Sequence, residues 1–290
     1  MSAPRLILLT LFAMLAFAGN SVLCRLALKQ TSIDAASFTT VRLLSGALML
    51  SLLVHVRRRE GANTRSDRHG KLDGNWLSAF ALFVYAGGFS FAYVSLPTGA
   101  GALILFGAVQ ATMILAGLWS GERLALRQVA GLSLALAGLA AIMLPGLATP
   151  SMGSALLMLS AGIAWGVYSL RGRGVMDPVG ATAGNFLRAA PLSVVLSAVM
   201  LTHLRLDSAG VLSAVLSGAL ASGIGYAMWY AALRGLTATR AASVQLSVPV
   251  IAALGGVVFL NESITLRLMI SSVAILGGIA LVVLDRRAAT

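Results

Sequence analysis

Ten stretches of about 20 mostly apolar residues follow one another along the chain, each long enough to cross a bilayer's hydrocarbon core as a helix. They run Leu6–Leu28, Ala35–Val54, Asn75–Leu96, Ala100–Ser120, Leu126–Leu144, Gly153–Leu170, Gly180–Thr202, Ser208–Leu233, Ala238–Leu260 and Leu266–Leu284. The connections are short and leave no room for a soluble domain. The longest, His55 to Gly74, carries Arg57, Arg58, Arg59, Arg65, Arg68 and Lys71. The first stretch has some marks of a secretory signal: Arg5, an apolar run, and small residues near Ala16 to Gly19. It continues to Leu28, a spanning length, so it reads as the first helix instead.

Composition agrees with the pattern. Of 290 residues, 58% are hydrophobic and 10% charged, against roughly 25% charged in an average soluble domain. The missing polar surface makes lipid the solvent over much of the molecule. The formal charge is +12, but basic residues scattered through short connections do not make a nucleic-acid face, and no such partner is expected. They sort by side instead. With helices alternating in direction, 15 Lys and Arg fall on the side of the N-terminus and four on the other, while Arg42 and Arg188 lie inside helices. That imbalance predicts a multi-pass inner (plasma) membrane protein with both termini cytoplasmic.

One cysteine, Cys24, excludes an internal disulfide, and no Cys/His cluster has metal-ligand spacing. The Gly-rich stretches lack a Walker-type Lys-Ser/Thr ending, so neither nucleotide nor any other cofactor is expected. His55, His69 and His203 fall at helix ends or in a loop, where solvated or interfacial roles suffice.

The chain repeats itself. A shift of 140 lays Gly121-Glu122-Arg123-Leu124 over Asn261-Glu262-Ser263-Ile264, Leu126-Arg127 over Leu266-Arg267, and Ala137-Gly138-Leu139-Ala140 over Gly277-Gly278-Ile279-Ala280. A shift of 146 lays Arg25 over Arg171 and Arg42 over Arg188, and 137 lays Tyr93 and Leu96 over Tyr230 and Leu233. The shared order of these short matches predicts two five-helix repeats, residues 1–145 and 150–290. Five is odd, so the repeats enter the membrane from opposite sides. Inverted repeats are how many carriers obtain two related packings around one central solute site.

The tracts Gly121-Glu122-Arg123-Leu124 and Asn261-Glu262-Ser263-Ile264, with Pro249 thirteen residues before Glu262, resemble the repeat ending of EamA-type proteins. The whole chain is similar to ten-helix members of the drug/metabolite transporter superfamily. Within it, overall similarity points to the YddG-type aromatic amino-acid exporters. The resemblance implies an all-α carrier of metabolites, often an exporter. Val109 departs from the pattern, standing where the first half should match Pro249.

No acidic residue sits mid-helix: Asp34, Glu60, Asp67, Asp73, Glu122, Asp177, Asp207, Glu262 and Asp285 all fall in loops or at helix ends. Proton-driven exchangers commonly hold a membrane carboxylate, so the expectation is a carrier running down its solute gradient, or one coupled without a membrane carboxylate. Glu122 and Glu262 read as interface caps or partners of Arg123, Arg127 or Arg267. Arg42 and Arg188, about eight residues into their helices, read as snorkelling or interhelical contacts before they read as solute contacts. Glycines inside helices read first as packing sites.

The polar and aromatic residues near helix centres are the substrate-binding candidates. They are Asn20 in the first helix, Tyr85 and Phe89 in the third, and Phe106 and Gln110 in the fourth. Trp165 and Tyr168 follow in the sixth, Tyr226, Trp229 and Tyr230 in the eighth, and Gln245 and Ser247 in the ninth. Amides in lipid must find a partner, in a neighbouring helix or an aqueous cavity. Rings with neutral amides suit a zwitterion carrying a flat side chain. The expectation is an all-α integral membrane protein of ten transmembrane helices, moving a small-molecule substrate by alternating access. The cavity is expected between helices one, three, four, six, eight and nine. A single chain holding both repeats suffices, so a monomer in the bilayer is expected to work. The rivals are a carrier of another metabolite or drug class, an intramembrane enzyme and a channel. Against the enzyme stands the lack of paired acids, a metal cluster or a Ser-His pair in the helices.

Overall fold

The computed structural model describes residues 2–61, 73–119, 126–143, 151–172, 175–233, 235–236, 244–245 and 247–284. Among them every long element is a helix: α1 Ala3–Gln30, α2 Ala35–Gly61, α3 Trp76–Tyr93, α4 Thr98–Trp119, α5 Leu126–Met143, α6 Met152–Arg171 and α7 Pro178–Val199. After a short 3-10 turn at Leu201–His203 comes α8, in three contiguous pieces: Ser208–Val215, Leu216–Ile224 and Gly225–Leu233. Finally come α9 Ser247–Leu260 and α10 Leu266–Leu284. Seven helices have full spanning length and apolarity, and Leu126–Ala141, Ser247–Leu260 and Leu266–Leu281 are shorter apolar helices. The expected ten helices are present. Glu122 and the rest of Gly121–Leu124 lie outside the described residues, as do most of the Arg-rich connection and residues 238–243 and 246 of the expected ninth helix.

Polar side chains set where helices begin. Asn75, Ser151, Asp177 and Asp207 each accept a hydrogen bond from a backbone N–H in the first turn that follows, meeting donors that have no partner within the helix. Asp34 does the same for α2, accepting from the Ser37 N–H at 2.9 Å. Gly74 turns the chain into α3 at φ +100°, where a Cβ would meet Asn185 Oδ1 at 2.5 Å. Asn261 ends α9 at φ 52°, the left-handed stop that asparagine tolerates.

The packing follows the repeat. α2 packs on α7, α5 on α10 and α4 on α9, each helix meeting its own counterpart. The pairs α3–α6, α4–α6 and α3–α7 recur as α8–α1, α9–α1 and α8–α2 when each helix is exchanged for the one five places on. This is the two-repeat, inverted architecture read from the sequence. Large apolar side chains such as Leu48, Phe80, Val195, Leu254 and Val273 point outward and are exposed. In an integral membrane protein that surface is solvated by lipid.

Side chains also separate the two ends. Asp73–Asn75 and Arg171 come together at the basic end, with Arg171 donating to Ser78 Oγ and Asn75 Oδ1 at 3.0 Å each. Thr31–Asp34, Tyr93–Thr98, Arg205–Asp207 and Glu262 come together at the far end.

Candidate functional site

Two cavities succeed one another from the basic end inward, and α3, α6 and α8 line both. The outer one, about 290 Å³, is bounded by Asn75 and Ser78 on α3, Tyr168 and Arg171 on α6, Thr182 and Asn185 on α7, and Tyr230 on α8. It is polar. Asn185 ties it together, its Oδ1 accepting from the Asn75 N–H at 2.9 Å and its Nδ2 donating to Tyr168 Oη at 3.4 Å.

The inner cavity holds only about 20 Å³, room for one water molecule. Phe17, Asn20 and Ser21 of α1, Tyr85 and Phe89 of α3, Leu105 and Phe106 of α4, Trp165 of α6, and Ala221, Ser222 and Tyr226 of α8 surround it. Trp165 is the partition. Its ring stacks on Tyr168 of the outer cavity, centroids 5.4 Å apart at 26°, and meets Tyr85 at 4.7 Å and Tyr226 at 5.1 Å inside.

A polar chain runs through the inner wall. Ser217 Oγ donates to Asn20 Oδ1 at 2.6 Å, and Asn20 Nδ2 donates to Tyr85 Oη at 3.3 Å. Tyr85 Oη also accepts from Arg42 Nη2 at 3.0 Å. Ser222 Oγ accepts from Arg42 Nε and Nη2 at 3.4 Å each. The guanidinium lies 5.1 Å from the Tyr85 ring centroid and 4.9 Å from that of Phe89, contacts that favour a desolvated cation by about 2 kcal/mol. Arg42 is 1% exposed, so it does not snorkel. It is an interhelical contact between α2, α3 and α8. Among the described residues no carboxylate lies within ion-pair distance of it. Arg188, its repeat counterpart, is half-buried and donates to the Asp73 and Gly184 carbonyls at 2.9 Å.

Ser217 and Ser222 come from Leu216–Ile224, where α8 widens into π-helical turns. Such widening re-aims side chains and often marks functional positions. Gly218 lets these turns approach α2, since a Cβ there would strike the Arg42 carbonyl oxygen and Ser45 Oγ.

Polar contacts tie the described residues of the far end together. Arg25 Nε meets Glu262 Oε1 at 3.3 Å, both side chains 10% exposed, and Arg25 Nη1 donates to the Tyr93 and Val94 carbonyls at 2.9 and 2.7 Å. Glu262 Oε2 accepts from the Thr98 N–H at 2.7 Å. Thus Glu262 closes its helix by pairing with the other repeat. Asp34 accepts from the Arg205 N–H at 3.0 Å, and Asp207 from the Ser32 N–H at 2.8 Å.

Of the twelve candidate residues, the structure gathers Asn20, Tyr85, Phe89, Phe106, Trp165 and Tyr226 around the inner cavity and Tyr168 and Tyr230 around the outer one. The other four line neither. Gln110 is buried in α4 beyond Phe106, and Trp229 is buried with its ring 5.9 Å from Phe17. Gln245 is half-buried, and Ser247 Oγ is occupied by the Val244 carbonyl at 2.7 Å. No described residue of α9 lines the inner cavity. A third, apolar hollow of about 520 Å³ does involve α9, beside α4 and α10. Its exposed Leu254, Met269 and Val273 put it on the lipid-facing surface.

An all-helical double repeat with a polar vestibule leading to a buried aromatic chamber is an arrangement that suits a membrane transport protein. The EamA-like transporter family model matches residues 4–144 and again 152–284, and the chain belongs to that family, which points to transport rather than catalysis. It is 57% identical over 282 residues to an uncharacterized protein of Pseudomonas aeruginosa, covering 97% of this chain and 96% of that one. It is 28% identical over 218 residues to an "Uncharacterized transporter" of Archaeoglobus fulgidus, covering 72% and 76%. A "Probable amino-acid metabolite efflux pump" of Salmonella typhimurium matches at 25% over 222 residues, covering 70% and 74%. A solved crystal structure superposes with a TM-score of 0.67 at 21% identity, covering 99% of this chain and 100% of that one. At that identity the likeness concerns the fold alone.

Proposed function

We propose that this protein carries small organic solutes, amino acids including aromatic ones foremost, out of the cytoplasm by alternating access around the inner cavity. It works as a single chain in a bacterial-type inner membrane, with the basic end and both termini cytoplasmic, and residues 1–145 and 150–290 form the two moving repeats. The observation that carries this reading is the asymmetry of access. A polar vestibule opens at the basic end, Trp165 divides it from an aromatic inner chamber, and the Arg25–Glu262 contact ties the far end together. The inverted repeat supplies a related packing in which the ends exchange roles. Rings and neutral amides suit a zwitterion with a flat side chain, and the name of the Salmonella relative supports the same solute class. The narrower assignment to YddG-type exporters rests on overall similarity.

Counterflow in proteoliposomes tests the reading. Vesicles loaded with unlabelled phenylalanine, tryptophan or threonine should accumulate the labelled amino acid above empty vesicles, without a proton gradient. Tyr85→Ala should lower the initial rate about ten-fold or more, since it removes both the ring and the hydroxyl that orients Arg42 and Asn20. A folded protein showing no counterflow with any amino acid overturns the amino-acid reading and turns the search to other metabolites.

A further inference from the structure

Two buried polar atoms beside the inner cavity have no partner: Arg42 Nη1 and Tyr226 Oη. The surroundings are otherwise well satisfied, since Asn20, Ser217, Tyr85 and Ser222 all bond one another or the same guanidinium. Among the described residues Arg42 is the one cation that the contacts place against the lining, touching Tyr85, Phe89 and Ser222, and no described lining residue of the inner cavity is acidic. A buried guanidinium with a donor to spare, an unpaired phenol beside it in the wall, and no protein anion describe an incomplete anion site. Its natural complement is a group with two acceptor oxygens, because a guanidinium's planar fork matches a carboxylate. The rest of the lining is aromatic, so the remainder of that molecule is apolar and flat.

We propose that Arg42, assisted by the Tyr226 hydroxyl, receives the carboxylate of the transported solute, and that the solute's ammonium group is dispensable. The proposal rests on the carrier reading above and sharpens it: the recognised class is aromatic monocarboxylates, of which aromatic amino acids are one subset. Among the described lining residues of the inner cavity there is no carboxylate to pair an ammonium, which would meet only ring faces, hydroxyls and the Asn20 amide, whereas the carboxylate meets a full positive charge. The inner cavity is too small for such a solute while the Trp165 partition is in place, so the guanidinium meets the carboxylate once that ring has swung aside.

The test is thermal unfolding of the purified full chain in detergent with phenylpropionate, which has the acid and ring but no amine, and with phenylalaninamide and phenethylamine, which lack the free carboxylate. A ligand that binds the folded protein raises the midpoint in proportion to the logarithm of its concentration over its Kd. Phenylpropionate and phenylalanine should raise it, and the two amines should not. Arg42→Gln should weaken phenylpropionate binding about ten-fold or more, with Arg42→Lys retaining part of it. If the amines stabilise wild-type protein as well as the acid does, the proposal is overturned, and that comparison needs no variant to fold. A folded Arg42→Gln that binds phenylpropionate as wild type does overturns it equally. Counterflow separates the two readings. Amino-acid counterflow with no preference for the carboxylate leaves the carrier and removes the Arg42 site. Acid-specific binding without counterflow keeps the Arg42 site and removes the carrier reading.

Discussion

Tyr85 joins more of the inner wall than any other single side chain. Its hydroxyl receives both Asn20 and Arg42, and its ring meets Trp165 and Phe89. Tyr85→Phe keeps the ring and strips the acceptor, taking the Tyr85 partner from Asn20 Nδ2 and leaving Arg42 Nη2 with only its longer bond to Ser222 Oγ. It should cost about 1–3 kcal/mol of stability, read from denaturant or thermal unfolding; a cost near zero would contradict the polar chain described for this wall. Trp165→Ala should act on selectivity, lowering counterflow of tryptophan relative to threonine about three- to ten-fold as a ring contact of about 0.5–1.5 kcal/mol is lost. Gln110→Ala should change either solute less than about two-fold, since Gln110 lines neither cavity and its loss removes no wall of the site. Tyr85, Phe106 and Trp165 were legible as candidates because each lies well inside its helix, six or more residues from both ends, away from the interfacial belt that Trp and Tyr otherwise favour. The place of Arg42 against the inner wall was not legible, and a solute contact ranked behind snorkelling and interhelical contacts in the sequence. A lone arginine in an apolar run looks the same whether it snorkels or is buried, and what buries it is Ser222 and Tyr85, 180 and 43 residues away.

At the scale of the helix, α8 carries the departure from regularity. Its widened turns aim Ser217 at Asn20 and Ser222 at Arg42, and an apolar Gly/Ala/Ser run gives no periodic signal of that widening. The Ser-Gly pairs at 217–218 and 222–223 are its trace in the sequence. Gly218→Ala should destabilise the protein by about 1–3 kcal/mol or more, because a Cβ there meets the Arg42 backbone carbonyl, which cannot move aside as the Ser45 side chain can. Gly277→Ala, with nothing within 4 Å of its Cβ, should change stability by less than about 0.5 kcal/mol. Equal effects of the two would contradict the packing. The caps make a further prediction about pH. The N–H of Gly210, then those of Ser32 and Ala209, hold the Asp207 carboxyl down to about 2. A lowered folded pKa contributes stability that is complete above the unfolded value of about 3.9 and is lost as pH falls through the folded one. The thermal midpoint should therefore fall less between pH 4 and pH 2 in Asp207→Ala than in wild type. An identical fall in both would mean that the carboxylate contributes nothing.

Across the whole molecule, the inverted repeat was legible from spacing alone, since the shifted matches keep one order along the chain. The breaking of that symmetry was not. Arg42 and Arg188 occupy equivalent positions, yet one sits beside the inner cavity and the other holds a carbonyl at the basic end. Arg25 and Arg171 are equivalent too, yet Arg25 pairs with Glu262 at the far end while Arg171 lines the open vestibule. An alternating carrier caught in one of its two packings must show such inequality, because identical environments for both repeats would leave both ends equally open or equally closed. On the proposed alternating-access reading, sequence repeats describe the average of two packings, and the structure is one of them. The measurement that tests this account most directly is counterflow with the far end locked. With Cys24 replaced by Ser, Arg25→Cys and Glu262→Cys would be joined by a short cleavable bridge in proteoliposomes. The account predicts that counterflow stops when the bridge forms and returns when it is cut, while stabilisation by solute in detergent persists throughout. Counterflow that continues unchanged with the far end bridged would contradict it.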